Sequence, residues 1–208
     1  MAEPTSTRTE RVLRLTRELG VLRARDLARH GIAREHLSRL TADGRLTRVG
    51  RGLYMLPDAD LTEHHSLAEV AKRVPAGVVC LLSALRFHNL TTQAPFEIWL
   101  ALPPSVRRPR LDWPPLRVMR FSGPALTEGV EEHIVEGVPV RVYGVAKTVA
   151  DTFRYRNKIG LDVALEALRE TWRERRATMD ELWHAAKVCH ISTVMLPYMT
   201  ALASLEEY

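Results

Sequence analysis

Glycine-bearing breaks divide the first part of the chain into short runs, and their order leaves few folds open. Thr7–Leu19 carries Val12, Leu15 and Leu19 at helical spacing and stops at Gly20. Ala24–His30 is a second, shorter helical run ending at Gly31, a residue suited to the left-handed position after a helix C-terminus. A third run, Ala33–Ala42, turns Leu37 and Leu40 inward and closes on Asp43-Gly44. Leu46–Gly50 and Arg51–Leu56 follow as two extended runs around Gly50-Arg51-Gly52, a hairpin signal. Three helices, the last two separated by a tight turn, and then a hairpin make the order of a winged helix-turn-helix. Its third helix would enter a major groove and its hairpin would be the wing. Pro57-Asp58-Ala59-Asp60 breaks the pattern and sets the expected boundary between residues 1–60 and residues 61–208.

Beyond that boundary, Thr62–Arg73 reads as an amphipathic helix, and Val78–Leu90 is apolar enough to be buried, with a helix favoured over Ser83–His88. Glu97–Leu102, Leu116–Phe121, Glu131–Val135 and Val138–Tyr143 read as strands, the last two joined at Glu136-Gly137. The proline-rich stretch Pro103–Pro115 is a loop carrying Arg107, Arg108 and Arg110. From Ala146 to about residue 206 the period is helical: Leu161, Ala164, Leu165, Leu168 and Trp172 form a stripe, and Thr178-Met-Asp-Glu181 is a capping-box start. Pro197 is expected in the first turn of the last helix. The fold class is therefore α+β: an N-terminal winged helix-turn-helix, then a small mixed β-sheet domain with a C-terminal helical bundle.

The chain has 208 residues, enough for two small cores without metal or disulfide staples. Hydrophobic residues at 46% and charged residues at 26% argue against wholesale disorder. The longest apolar stretches, around Val78–Leu82 and Ile98–Leu102, fall far short of the roughly 18 residues a membrane span needs. Met1–Glu10 is polar and lacks the apolar run of a signal peptide, so a cytoplasmic location is expected. Cys80 and Cys189 are too few for a disulfide framework and read as reduced, buried thiols. Arginine supplies 26 of the 30 positive charges, which favours bidentate phosphate or carboxylate contacts. The formal charge of +5 is unevenly spread: residues 1–60 carry 12 basic against 8 acidic, residues 61–125 carry 8 against 4, and residues 126–208 carry 10 against 13. An anionic partner is expected at the winged helix and at the arginine-bearing loop, not at the C-terminal helices.

Several strings resemble the AbiEi antitoxin family of type IV toxin–antitoxin, or abortive-infection, systems. Leu22-Arg-Ala-Arg-Asp-Leu-Ala-Arg-His-Gly-Ile32, Leu37-Ser-Arg-Leu40 and Arg48-Val-Gly-Arg-Gly-Leu-Tyr54 resemble its winged-helix domain. Ser83-Ala-Leu, Glu97-Ile-Trp-Leu-Ala-Leu-Pro103, Gly137-Val-Pro-Val-Arg141 and the stretch from Lys147 to Arg169 resemble its C-terminal antitoxin domain. The string Leu196-Pro-Tyr-Met-Thr200 departs from the family pattern by one basic and one acidic residue. The resemblance implies a transcriptional regulator and repressor that binds inverted repeats in its own promoter, two copies per operator. It also implies a second domain that counters a nucleotidyltransferase-type toxin, by direct contact or at a shared target.

On the third helix, Arg34, His36, Ser38, Arg39 and Thr41 are left for solvent or DNA once Leu37 and Leu40 face the core, and Arg suits the O6/N7 edge of guanine; Arg34 and Arg39 lead, with Ser38 and His36 behind them. Arg48 and Arg51 lie on the wing, where Gly50 and Gly52 would let the turn approach a phosphate or enter the minor groove. Arg23 and Arg25 are placed at the start of the second helix as phosphate contacts. The Arg154, Arg156, Asn157 and Lys158 cluster reads either as ordinary cation placement at a helix C-terminus or as a basic rim facing a toxin or its target. Asp151 and Asp162 are expected to pair with these cations.

Catalysis finds little support. His64-His65 and Cys189-His190 are adjacent pairs, not spaced zinc ligands, and no metal or cofactor is expected. There is no phosphate loop and no Gly-x-Ser-x-Gly elbow. Pro57-Asp58 is present, but no Asp or Glu stands two residues before Lys72, Lys147, Lys158 or Lys187, so the carboxylate–lysine centre of a nuclease is missing. The competing non-enzyme reading is a stand-alone regulator whose second domain senses a ligand or mediates dimers.

Overall fold

Helix α1 (Arg8–Leu19) begins at a reciprocal cap. The Glu10 N–H donates to Thr7 Oγ1 at 3.3 Å, and the Thr7 N–H donates to the Glu10 carboxylate at 2.7 Å. Strand β1 (Leu22–Arg23) follows, an element too short to announce itself by period. The second helix, α2, spans Asp26–Arg29 and not Ala24–His30, because the Arg23 N–H donates to the Asp26 carboxylate at 3.0 Å and the intervening residues form a turn. Helix α3 (Glu35–Ala42) then leads into strands β2 (Thr47–Gly50) and β3 (Leu53–Met55). The three strands form one antiparallel sheet in the order β1-β3-β2. Val12, Leu22, Leu27, Ile32, Leu37, Leu40 and Leu46 make the core, with Tyr54 packed against it. This is the winged helix-turn-helix expected from the order of breaks.

The computed structural model describes residues 7–59 and 62–204. The expected boundary at 60/61 lies outside the described residues. The chain forms two compact units, one running through Pro75 and including His133–Val140, the other made of Ala76–Glu132 and the residues from Arg141 on. Helix α4 (His65–Arg73) thus counts with the winged helix.

The second unit begins with strand β4 (Val78–Val79) and helix α5 (Leu81–Phe87), followed by β5 (Ile98–Leu102), β6 (Leu116–Arg120) and the short helix α6 (Pro124–Thr127). Strands β7 (Val130–Val135) and β8 (Val138–Tyr143) are joined by Glu136-Gly137, both at positive φ, the backbone a two-residue primed turn requires. The five-stranded sheet has the order β6-β5-β4-β8-β7 and is mixed: β4 is antiparallel to β5 and parallel to β8, and β5 is parallel to β6. Helices α7 (Val145–Arg154), α8 (Arg156–Ile159), α9 (Leu161–Arg173), α10 (Met179–Val188) and α11 (Ser192–Ser204) complete the chain. Thr178 and Glu181 form the expected capping box of α10.

Two helical details differ from expectation. The buried face of α9 is Val163, Ala164, Ala167, Leu168 and Thr171, while Leu161 is exposed and Leu165 and Trp172 are half-buried. Ala164 and Leu168 of the expected stripe are buried, and Val163 and Ala167 complete the face that packs on the core. Pro197 lies in the second turn of α11, not the first, because the helix starts at Ser192. Lacking an N–H, it leaves the Thr193 carbonyl without its intrahelical donor.

Helix α7 is the centre of the second unit. All seven residues from Lys147 to Phe153 are buried, the pattern of a helix enclosed on every side. Its polar members are satisfied locally. Lys147 Nζ donates to the Asp151 carboxylate at 2.6 Å, and Thr148 Oγ1 donates to the Tyr143 carbonyl at 2.9 Å. Thr152 Oγ1 donates to the Thr148 carbonyl at 2.9 Å.

Candidate nucleic-acid interface

The helix-turn-helix places one face of α3 in solvent. Leu37 and Leu40 are each 2% exposed and anchor the opposite side, while Glu35, Ser38, Arg39 and Ala42 recur at the spacing of a single helical face and are all exposed. Arg34 sits at the N-cap position, also exposed, and His36 is half-buried. Thr41 turns back on its own helix, its Oγ1 donating to the Leu37 carbonyl at 2.7 Å. The exposed face therefore offers Arg34 and Arg39 as fork-shaped donors, Ser38 as a short hydroxyl and Glu35 as an acceptor. Glu35 was not among the expected contacts. Its position three before Ser38 and four before Arg39 is the signal that would have found it, and a carboxylate suits the cytosine amino group in a major groove.

The wing is short. Thr47 pairs with Met55, Arg48 with Tyr54 and Gly50 with Leu53, with an irregularity between Arg48 and Gly50. Arg51 is exposed at the turn, and Gly52 supplies the positive φ that closes it. Arg48 is exposed and its Nε donates to the Gly50 carbonyl at 3.2 Å, which steadies the side chain along the strand. Gly50 has a second reason to lack a side chain, besides the expected close approach to DNA. A Cβ there would lie 2.3 Å from Arg73 Nη2 and 2.5 Å from Glu69 Oε1, so the missing side chain makes room for an ion pair on α4. That pair is close, at 2.5 Å, and burial pushes the Glu69 carboxyl upward against the pull of Arg73 and His65.

Arg23 and Arg25 separate. Arg25 is the exposed N-cap of α2, whereas Arg23 lies in β1 and not at the helix start. The Arg23 guanidinium donates to the Lys72 carbonyl, a structural use. Arg45, exposed between α3 and β2, adds a cation that the expected set lacks. The first unit thus brings Arg34, Ser38, Arg39, Arg48 and Arg51 onto the helix-turn-helix and wing, and draws Arg23 away.

Residues 10–57 match the family model for AbiEi antitoxin transcriptional regulators. The AbiEi-like segment runs from α1 through β3, the whole helix-turn-helix and wing. A comparison with curated proteins found no match.

In the second unit the expected basic rim is partly used up. The Arg154 guanidinium donates to the Cys189 carbonyl, and Arg156 Nη1 donates to the Phe153 carbonyl at 3.0 Å. Asn157 and Lys158 are exposed, with Lys158 Nζ 5.7 Å from the Tyr155 ring centre. Asp151, expected to pair with this rim, pairs instead with Lys147 inside the core, one helical turn away on the same helix. The Lys147 ammonium also lies 4.1 Å from the Tyr143 ring centre, and Cys189 Sγ donates to Asp151 Oδ1 at 3.1 Å. Burial pushes the Asp151 carboxyl up against the opposing pull of Lys147, and it raises both thiols, so Cys80 and Cys189 are buried thiols as expected.

Among the described residues no group of three or more His, Cys, Asp or Glu side chains is arranged to hold a metal ion. His65 Nδ1 is instead 2.7 Å from Glu136 Oε2. Among the same residues no helix is long and apolar enough to cross a membrane.

Proposed function

We propose that the chain is a DNA-binding antitoxin and autorepressor that binds inverted repeats in its own promoter and counters a co-encoded nucleotidyltransferase-type toxin. The observation that carries the DNA-binding part is the exposed α3 face, with Arg34, Ser38 and Arg39 beside the Arg48 and Arg51 wing, within the segment that matches the AbiEi regulators. In this reading α3 enters a major groove, Arg34 and Arg39 meet base edges or phosphates, and the wing arginines hold the flanking backbone. Two copies would occupy one inverted repeat. The second unit would oppose the toxin, with Asn157 and Lys158 the members of the Arg154–Lys158 rim left most open to a partner. No catalytic role is proposed.

The test is a promoter-shift assay paired with a toxin-rescue assay on the full chain. Arg34→Ala with Arg39→Ala is expected to weaken promoter binding and leave rescue intact. Loss of both activities in a folded protein would refute the division of labour.

A second reading, a stand-alone regulator with a ligand-sensing second unit, is favoured by one feature. A cleft of about 450 Å³ in that unit is lined by Glu128, Glu131, Lys147, Asp180, Glu181 and His184. A neighbouring gene of nucleotidyltransferase type would decide for the antitoxin reading.

A further inference from the structure

We infer that the second unit carries a platform for single-stranded nucleic acid at one end of the β5–β6 pair, built from Phe96 and Trp113 with Arg107, Arg108 and Arg110. This goes beyond duplex recognition by the winged helix and uses none of its residues.

The juxtaposition follows from the sheet. β5 and β6 are parallel, Ile98 is the register partner of Leu116, and the Ile98 N–H donates to the Pro115 carbonyl at 2.9 Å. The segments entering the two strands therefore emerge side by side, about one strand spacing, ~4.8 Å, apart. Phe96 stands two residues before Ile98 and is 81% exposed, and Trp113 stands three before Leu116 and is 65% exposed. Two large aromatic side chains presented to solvent at one end of a sheet mark a contact surface.

The surroundings select the partner. Arg107, Arg108 and Arg110 are exposed on the loop between the strands, and Arg108 Nη2 donates to the Leu116 carbonyl at 3.2 Å, which holds that loop against β6. Residues 96–120 contain five arginines against Glu97 and Asp112. Glu97 is engaged by Arg117, whose guanidinium lies 4.7 Å over the Trp99 ring. Aromatic faces interleaved with arginines match the two demands of an unpaired strand, stacking for its bases and cations for its phosphates. A duplex keeps its base faces inside its own stack. A peptide adding to the β6 edge would meet Arg108 already on the Leu116 carbonyl, from a loop that Arg120 also holds, its Nη1 donating to the Pro103 and Val106 carbonyls at 2.9 and 2.7 Å.

The test measures binding of labelled RNA and DNA strands of about 12 nucleotides, without self-complementarity, to the full chain, following both anisotropy and tryptophan emission. The chain is expected to bind at least one strand with quenching of emission, and the tighter strand names the sugar preferred. Phe96→Ala with Trp113→Ala should weaken strand binding about tenfold or more and leave duplex binding unchanged. Trp113→Phe should keep most of the affinity and lose the quenching. Arg34→Ala with Arg39→Ala should retain strand binding, which separates this surface from the winged helix. The inference is overturned if the wild-type chain binds neither strand, or if the double aromatic variant binds as well as wild type. Loss of a protein partner by that variant, with strand affinity unchanged, would overturn it equally.

Discussion

Arg34 and Arg39, at the cap and on the face of α3, and Arg154 and Arg156, where α7 gives way to α8, are the same residue type, yet their guanidinium groups are used differently. The first pair stands exposed beside a wing, while the second turns back to the carbonyls of Cys189 and Phe153. The helix ends do not explain the contrast. At the end of α3 the N–H groups of Asp43, Gly44 and Arg45 donate to the carbonyls of Arg39, Thr41 and Leu40. The end of α7 closes in the same way, with backbone N–H groups reaching the Asp151 and Phe153 carbonyls, and Arg156 adds a second donor to the Phe153 carbonyl. A count of cations therefore says little about available charge until the carbonyls and carboxylates that consume it have been placed.

Lys147 is the extreme case of a consumed cation, and the largest expected effect tests it. Lys147→Met would leave Asp151, 1% exposed, without its ammonium partner. Breaking a buried pair in this way costs about 3–5 kcal/mol, whereas replacing both members with apolar residues is often close to neutral. Urea unfolding of Lys147→Met and of Lys147→Met with Asp151→Leu should show a large loss in the first and recovery in the second. A single variant as stable as wild type would mean that the pair contributes no more than a surface contact.

The opposite side of the comparison is read by binding. Arg34→Ala and Arg39→Ala should each cost about 1–3 kcal/mol of promoter affinity if the side chain makes a bidentate base contact. Stability should stay within roughly 0.5 kcal/mol of wild type, since both residues are exposed on the helix face. If either arginine meets a phosphate instead, its removal should lower the salt slope by about 0.9 and weaken all duplexes alike. Stability loss with unchanged affinity in these variants would erase the contrast with Lys147.

The order of elements was legible because each depends on local chemistry: Thr7 with Glu10 and Thr178 with Glu181 announce helix starts, and Glu136-Gly137 announces a hairpin. The α3 face was legible for the same reason, since Leu37 and Leu40 fix its rotation. What could not be read depends on distant residues. Nothing adjacent in sequence places Lys72 behind Arg23 or seats the α4 ion pair against Gly50. The α9 stripe was legible in part: Ala164 and Leu168 are buried as expected, but Leu161 is exposed and Val163 and Ala167 complete the inward face. Asp151 looked like a surface partner for Arg154 only while α7 was assumed to have a solvent face.

Gly50 sharpens the comparison at the wing. Its backbone φ is one that alanine can adopt, so any cost of Gly50→Ala comes from the clash with Arg73 and Glu69. Overpacking of this kind typically costs about 1–3 kcal/mol, and the lower end is expected here because Arg73 can shift its terminal nitrogen. Adding Glu69→Ala and Arg73→Ala should remove most of that cost. If the wing glycine instead matters only for DNA approach, Gly50→Ala will lower promoter affinity without changing the unfolding midpoint.

The smallest effect concerns Glu136, at the hairpin turn counted with the first unit. Burial raises its carboxyl, but His65 at 2.7 Å and the N–H and hydroxyl of Thr62 at 2.7 and 3.0 Å outweigh that and hold it below the ordinary glutamate range. A carboxyl depressed in the folded state stabilises fully above its unfolded value, about 4.3, and the contribution disappears as pH falls through the lower folded value. Glu136→Gln should therefore reduce stability at neutral pH slightly and flatten the acid limb below about pH 4, while leaving promoter affinity unchanged. Identical acid limbs for the variant and wild type would show that these bonds do not distinguish the folded from the unfolded carboxyl, and Glu136 would then join the exposed arginines as a side chain whose charge the fold does not use.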